Sequence, residues 1–373
     1  MNKISILALS ISSVLLASQV NAANQVADAR GNAMGNTGVA SADYLTAPFY
    51  NPALAANFRD NDVFAFLLPA AAVSVRDTDD SLTILDDLQT SIESYEESGS
   101  AEQLAQINEY LDQLDGNQPL TVTAALGFAI AFPTETVSSN LFAHGYTEIV
   151  AETDVINDNY LNSNVNVLAF GYAEFGLSLA RKFTISKERF SFGVTPKYQK
   201  MVTYSSRITV SDFDLDDYDE NKITKNAFNF DLGVMWYKDD FRAGLVAKDL
   251  LPQELEVRSN GVNDAYKLTT QVTLGLAYVN EYFTAAFDAD LTKQTRFQKL
   301  NDDTQFVRIG IEGDAWGWAQ LRAGYEVDLQ ETLDNSITAG IGISPFGFVS
   351  LDLAGSYAGD NQFGASANLA FTF

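Results

Sequence analysis

WAQLRAGYEV, residues 318–327, alternates apolar side chains with polar or small ones from its second position onward. The apolar set is Ala319, Leu321, Ala323, Tyr325 and Val327, and the residues between them are Gln320, Arg322, Gly324 and Glu326. Strict alternation of this length predicts a β-strand with one apolar and one polar face. The stretch therefore predicts a strand that separates two different environments.

The same period of two recurs along most of the chain. We count about fourteen such segments, at residues 63–75, 120–132, 141–152, 165–183, 190–205, 226–238, 241–249, 270–279, 282–292, 305–315, 318–327, 336–344, 348–357 and 363–373. The third segment is the weakest, because its alternation is broken around His144 and Gly145. The pattern predicts an all-β protein.

Strand length and loop length distinguish a soluble sheet from a membrane barrel. Strands in soluble sheets usually have about five or six residues, whereas strands that cross an outer membrane have about 9–11 or more. The links between segments also alternate, since 76–119 and 153–164 are long while 133–140 and 184–189 are short. This parity is typical of periplasmic turns and extracellular loops. We therefore predict an antiparallel transmembrane β-barrel of about fourteen strands, residues 63–373.

Charged residues on the polar faces must point into such a barrel, because each would cost a few kcal/mol against lipid. This inward set is Glu174, Lys197, Asp231, Arg242, Asp288, Asp290, Arg308, Glu312, Arg322, Glu326 and Asp352. These side chains either pair with each other and with the N-terminal segment, or line a pore.

The two ends of the chain predict export. Lys3, the apolar run Ile4–Leu16 and small residues up to Ala22 are typical of a cleaved signal peptide, residues 1–22. At the other end, NQFGASANLAFTF closes on Phe371 and Phe373 and resembles the C-terminal aromatic strand by which the barrel assembly machinery recognises its clients. The chain has no cysteine and a net charge of -26, so we expect neither disulfides nor nucleic-acid binding.

Residues 29–58 carry a family resemblance. Arg30, Ala33-Met34-Gly35, Gly38-Val39-Ala40 and Asn51-Pro52-Ala53 resemble the start of mature FadL-type outer-membrane proteins, the long-chain fatty acid transporter superfamily. Within it, the chain is similar to the branch catalogued as conjugal transfer protein TraF. The resemblance implies a lumenal hatch, residues 23–62, containing Arg30, Met34, Gly35 and Asn51-Pro52-Ala53, and a sideways path through the wall for hydrophobic molecules. In that family the path depends on a kinked third strand, for which Gly145 is the candidate here; an ordinary weak strand is the alternative.

The insert between the first two strands switches to helical spacing. Leucines and other apolar residues recur three and four apart through 80–114, which predicts two amphipathic helices joined at Ser98-Gly99-Ser100. We expect the insert, 76–119, to be extracellular and to roof the lumen, either as a self-packed lid or as a hydrophobic capture surface. The acidic stretch SDFDLDDYDENK, 211–222, lacks the glycine of an EF-hand and predicts a solvated loop, bridged by divalent cations to lipopolysaccharide.

The sequence predicts a passive channel for small hydrophobic compounds in the bacterial outer membrane. The alternative is a non-transporting barrel that is a structural part of a conjugal transfer or secretion apparatus. We expect no enzyme activity, because the single histidine, His144, lies in the weakest strand, and we expect no cofactor and no metal site. The expected partners are outer-membrane lipids and lipopolysaccharide, the barrel assembly machinery and a small hydrophobic ligand.

Overall fold

The computed structural model describes residues 26–213, 221–259, 262–300 and 302–373. The predicted signal peptide, residues 1–22, and residues 214–220 of the acidic stretch lie outside the described residues.

Fourteen strands in this described part of the chain form a closed antiparallel barrel, which confirms the predicted fold class. The strands are β1 Ala65–Arg76, β2 Leu120–Phe132, β3 Ser138–Asp154, β4 Asn164–Ile185, β5 Glu188–Thr209, β6 Ile223–Lys238, β7 Phe241–Lys248, β8 Gln253–Ser259, β9 Val262–Leu268, β10 Gln271–Val279, β11 Phe283–Asp290, β12 Phe306–Ala315, β13 Ala319–Asp328, β14 Ser336–Ile343, β15 Val349–Gly359 and β16 Gln362–Thr372. Each barrel strand pairs with its neighbours in the chain, and β1 closes the ring against β16. Only β8 and β9 leave the wall, so β7 pairs directly with β10.

The helices are short and lie between the chain's first described residue and β2. They are α1 Ala29–Ala33, α2 Ala47–Tyr50, a 3₁₀ helix at Pro52–Ala56, α3 Ser81–Ser98 and α4 Ala101–Leu114. The two helices predicted for the insert are confirmed as α3 and α4. No helix of the described residues is long and apolar enough to cross a membrane.

The α3–α4 hairpin packs on the outside of the barrel. Its buried stripe includes Leu88 and Leu111 and shares one apolar cluster with Val122 of β2, Ala151 of β3 and Val167 of β4. These three strand residues have the opposite parity to inward-facing neighbours such as Asn140 and Glu174, so they face outward. The prediction that the helices roof the lumen is therefore wrong. The reason is that β3 to β5 run for 17 to 22 residues and offer an apolar outer face at their ends, which the leucine stripe covers.

The loops that follow β7 and β11 form the roof of the lumen instead. Tyr266 of β9 is completely buried and stacks on inward-facing Phe170 of β4, with ring centroids 3.4 Å apart. Phe297 packs edge-on against Tyr266, and the Thr203 hydroxyl of β5 donates a hydrogen bond to the Glu256 carbonyl. We refer to β8, β9, residues 291–300 and residues 302–305 as the roof.

Candidate functional site

The N-terminal segment, residues 26–62, fills the lumen beneath the roof. Its backbone is bonded to inward side chains all around the ring. The wall partners are Asn140 of β3, Ser191 of β5, Asp288 of β11, Thr338 of β14 and Asn368 of β16. Bonds to so many strands hold the segment as a plug across the barrel.

The first turn of the plug is built around two buried charges. The Asp28 carboxylate accepts hydrogen bonds from the Arg30 and Gly31 N–H groups and from the Tyr50 hydroxyl, which caps α1. Burial raises the pKa of the Asp28 carboxyl from 3.8 to about 6; the charges of Asp43 and Asp352 act in the same direction, while Arg30 and the Gly31 N–H act against it. The Arg30 guanidinium donates two bonds to Glu312 of β12, at 2.9 and 2.8 Å, so the plug is tied to the wall by a fork-shaped ion pair.

Inward glycines allow the plug backbone to touch the wall. In the described part of the chain, seven strands each place one glycine where an added Cβ would lie closer than 3.0 Å to an atom of the plug. These glycines are Gly193, Gly233, Gly244, Gly275, Gly310, Gly324 and Gly340. We call them the glycine belt. Because no side chain separates plug from wall at this level, the belt leaves little room for a solute to pass.

Asn51-Pro52-Ala53 anchors the other end of the plug. The Asn51 Nδ2 donates to the Val39 and Val234 carbonyls at 3.1 and 3.4 Å, and its Oδ1 accepts from the Ala53 N–H. Pro52 begins the 3₁₀ helix, where its missing N–H costs nothing. Met34 is completely buried, and Gly35 adopts a φ of 66°, which favours glycine, directly against β12 and β13.

The charged side chains listed from the sequence have inward parity and form networks rather than an open lining. Arg322 joins Glu312 to Asp352, and Arg308 joins Asp290 to Glu326. Asp288 accepts bonds from the Gly38 and Val39 N–H groups of the plug. Arg242 lies opposite Tyr237 on the inward face of β7.

Lys197 is enclosed by three carboxylates in the wall. Its ammonium lies 3.1 Å from Glu174, 3.0 Å from Asp231 and 3.0 Å from Asp249. His144 lies on the far side of Glu174, with its Nδ1 3.5 Å from the carboxylate. Since the lysine occupies the centre of the trio, no cation is needed there, and the described residues offer no group of three or more His, Cys, Asp or Glu that could hold a metal ion.

Backbone pairing in the wall lapses over two residue pairs beside this cluster, without a change of register, and the Ser178 and Thr195 hydroxyls remain hydrogen-bonded there. Backbone pairing between β4 and β5 runs up to Gly176 and resumes at Leu179, and the gap lies at Pro196, which has no N–H to donate. An apolar cleft of about 650 Å³ opens at this point on the outside of the barrel. Outward-facing side chains line most of it, including Phe175, Leu177 and Tyr198, but inward-facing Phe142 and Lys197 also reach it.

Gly145 does not mark this opening. It pairs without interruption with Leu126 of β2 and Ala173 of β4, so the proposed kink in the third strand is not found there. The interruption lies two strands on, at Pro196. The sequence carried a signal for it, because proline inside a long alternating segment disrupts a sheet, and the pattern analysis did not use that signal.

Aromatic rings connect the roof to the cleft along the inner face of β3 and β4. Successive ring centroids lie 3.4 to 6.4 Å apart. In order from the roof, the rings are Phe297, Tyr266, Phe170, Tyr172, His144, Phe49 and Phe142. We call this series the aromatic track. Sequence analysis missed it, because its members come from five separate parts of the chain.

The last residues of the chain lie at the rim opposite the roof. The Phe373 N–H donates to the Phe64 carbonyl and the Phe373 carbonyl accepts from Val63. The Phe371 ring stacks on Phe66 with centroids 4.8 Å apart. The two residues that sequence analysis assigned to an assembly signal thus close the seam between the first and last strands.

Known proteins share this architecture. A Pseudomonas aeruginosa FadL homologue superposes with a TM-score of 0.57 at 12% identity over 95% of this chain and 99% of that chain. The Pseudomonas putida toluene transporter TodX gives 0.53 at 12% identity over 95% and 99% of the two chains. The Ralstonia pickettii toluene transporter TbuX gives 0.55 at 12% identity over 92% and 98%. These similarities confirm the resemblance to FadL-type barrels at the level of the fold.

A comparison by sequence is more specific. No curated protein matches the chain. The family model described as "F plasmid transfer operon, TraF, protein" matches residues 48–290, which is more than half of the chain and runs from the plug through β11. The chain belongs to this TraF family and has the fold of a FadL-type outer-membrane barrel.

Proposed function

We propose that this chain is an outer-membrane channel for passive uptake of small hydrophobic compounds, in which the plug, residues 26–62, acts as a movable hatch. The observation that carries the proposal is the aromatic track, which links the roof to the apolar cleft at Pro196. Aromatic faces bind flat or aliphatic apolar molecules while excluding water. A hydrophobic molecule is thus offered contacts along the wall and a way out sideways into the membrane.

The gate of this route is the contact between Phe142 and Phe49. Their rings meet edge-on with centroids 6.0 Å apart, one from the wall and the other from the hatch. Phe142 also covers Gly176, where an added Cβ would meet its ring, so the ring separates cleft from lumen. A shift of the hatch that withdraws Phe49 frees Phe142 to rotate and joins the track to the cleft.

Two comparisons support the compound class without fixing it. TodX and TbuX are described as toluene transporters, and their likeness to this chain is one of fold. The alternative, a non-transporting barrel in a conjugal transfer apparatus, agrees with the family description but gives no role to the track or to the interrupted wall.

Replacing the proline that interrupts the wall tests the proposal. Pro196→Val restores an N–H and allows β4 and β5 to pair. We therefore expect the uptake of labelled toluene and of labelled long-chain fatty acid by intact cells to fall about tenfold, which corresponds to a barrier increase of roughly 1.4 kcal/mol. Pro69→Val is the matched control, because Pro69 lies at the irregularity of β1, three strands from β4 and outside the β4–β5 pair. The proposal is contradicted if Pro196→Val and the unmodified chain give equal uptake. It is also contradicted if cells with the unmodified chain take up no more than cells that lack it, and this second result favours the structural alternative.

A further inference from the structure

A polar compartment lies in the lumen beside the aromatic track, since Tyr146 and Glu148 of its lining pair with Tyr172 and Phe170 of the track. Its volume is about 90 Å³, between Asn36 of the plug and the roof residues Gln294, Arg296 and Thr304. Its walls are hydroxyl groups and ionic side chains from β1 to β3 and β12 to β15. A second polar cavity of about 270 Å³ shares Arg76, Thr121, Arg296 and Leu333 with it and leads outward past the roof. The two together form a passage from the loop end down to the plug.

The charges in this compartment cancel locally. Arg308 is paired with Glu326 and Asp290, and Arg296 is paired with Glu148 and Asp302. Arg76 lies 3.9 Å from Glu326 and donates to the Asp334 carbonyl. Since every guanidinium in the lining has an acidic or carbonyl partner, the compartment presents dipoles without a strong field of either sign. A neutral solute suits it better than an ion.

Three buried oxygen atoms of the lining have no partner. The Oε2 of Glu148, the Oε1 of Gln294 and the Oδ1 of Asn36 accept no hydrogen bond from any described residue. Glu148 and Gln294 are 1% and 3% exposed, so bulk water does not satisfy them. Buried acceptors left unpaired cost about 1–3 kcal/mol each, which favours a molecule that brings donors to them.

We infer that the passage formed by this compartment and the second cavity binds a small, uncharged, hydroxyl-rich solute such as a monosaccharide. Such a solute carries several O–H donors for the three acceptors and several oxygens that accept from the hydroxyls and guanidinium groups of the lining. It has no charge to bury and little apolar surface to lose from water. The compartment borders the aromatic track at β3 but has a polar lining, and the inference does not depend on the proposed uptake of hydrophobic compounds.

Cysteine chemistry tests this inference, because the chain has no cysteine of its own. In the full-length barrel, Ser336→Cys places a thiol in the lining of the compartment. We expect a small polar thiosulfonate reagent to modify it and glucose to slow the modification along a saturating curve. Ser178→Cys is the control, since Ser178 faces inward near the cleft, is completely buried and is bonded to Thr195; glucose leaves its rate unchanged.

A second variant separates binding from simple filling. Gln294→Leu removes one unpaired acceptor while the backbone bonds between Gln294 and Thr304 remain. One neutral hydrogen bond is worth about 0.5–1.5 kcal/mol, so the glucose concentration for half-protection rises roughly 2- to 12-fold. No modification of Ser336→Cys, modification that glucose does not slow, or an unchanged half-protection value in Gln294→Leu each overturns the inference. Protection by toluene in place of glucose overturns it as well.

Discussion

At the scale of single residues, the absence of a methyl group decides how tightly the plug is seated. Gly310 of β12 faces Met34, and an added Cβ would collide with the Met34 carbonyl and Cβ. We expect Gly310→Ala to push the plug off the wall at a cost of about 1–3 kcal/mol, the usual cost of overpacking. Hydrogen exchange at the amides of residues 28–56 measures this, and their protection falls by the corresponding factor while that of the barrel strands is kept.

Gly313 of the same strand is the control for this substitution. A Cβ added there meets nothing within 4 Å. Gly313→Ala therefore leaves the exchange of the plug unchanged. Equal loss of protection in both variants would mean that alanine weakens β12 itself and that the glycine belt has no special part in seating the plug.

Asp28 makes the seating of the plug depend on pH. Its carboxyl has a pKa of about 6 in the folded chain and 3.8 as a free group, so between these values the folded state binds more protons than the unfolded one. The contribution of Asp28 to stability is therefore greatest below pH 3.8, falls as the pH rises through this window by at most roughly 3 kcal/mol, and is constant above about pH 6. Asp28→Asn removes this titration. The difference in hydrogen-exchange protection of the plug between the unmodified chain and Asp28→Asn should therefore change from pH 4 to pH 6. A difference that stays constant over this range contradicts the shifted pKa of Asp28.

At the scale of elements, the α3–α4 hairpin depends on the outer wall for its stability. Leu88 is completely buried between the hairpin and the ends of β2 to β4. Leu88→Ala should cost about 2–5 kcal/mol of hairpin docking, because a buried leucine leaves a cavity when it is truncated. Asp87→Ala, at the neighbouring exposed position, is the control. Hydrogen exchange should show loss of protection over residues 81–114 with Leu88→Ala only, and an equal loss throughout the barrel would contradict an outside location.

How far the sequence predicts such elements depends on whether the signal is local. The strands of the wall were predicted to within a few residues, because alternation at period two is a property of each segment alone. The stripe of Leu85, Leu88 and Leu111 predicted helices equally well but not the surface they cover, since that depends on strand lengths elsewhere. The short alternation of Leu255 and Val257 was passed over inside a long loop, so β8 and β9 were missed.

The candidate site was less predictable for the same reason. That Glu312 and Arg322 face inward follows from their parity. Their bonds to Arg30 of the plug and Asp352 of β15 depend on where the plug lies and on which side chains meet across the inside of the closed ring. The aromatic track and the polar compartment each combine residues from the wall, the plug and the roof. No spacing in the sequence brings Phe49 next to Phe142, because 92 positions separate them and their contact exists only once the plug lies inside the closed barrel.

At the scale of the whole molecule, the lumen is divided between two sides of unequal height. The long strands β3 to β5 carry most of the aromatic track, the Lys197 cluster and the lapse in pairing, whereas the shorter strands β12 to β15 carry the Arg308 and Arg322 networks and part of the polar compartment. The roof touches both sides, through Tyr266 on Phe170 of β4 and through the Gln305 N–H, which donates to Asp328 of β13. The roof is therefore the element whose displacement would open both.

Arg296 is the residue on which the closed roof depends most. Its guanidinium is 8% exposed and neutralises Glu148 of the wall and Asp302 of the roof. Removing one partner of a buried ion pair leaves the other charge unpaired, at a cost of about 3–5 kcal/mol. Arg296→Gln should therefore release the roof and lower the hydrogen-exchange protection of residues 253–259 and 262–268, while Glu148→Gln in the same chain restores part of it. Arg207→Gln is the matched control, because the Arg207–Asp154 pair is 32% and 46% exposed and such pairs contribute about 1 kcal/mol or less. If Arg296→Gln and Arg207→Gln show the same hydrogen exchange in the roof, the roof is held by the stacking of Tyr266 on Phe170 and not by its ion pairs. In that case the double variant of Arg296→Gln and Glu148→Gln shows no recovery of protection.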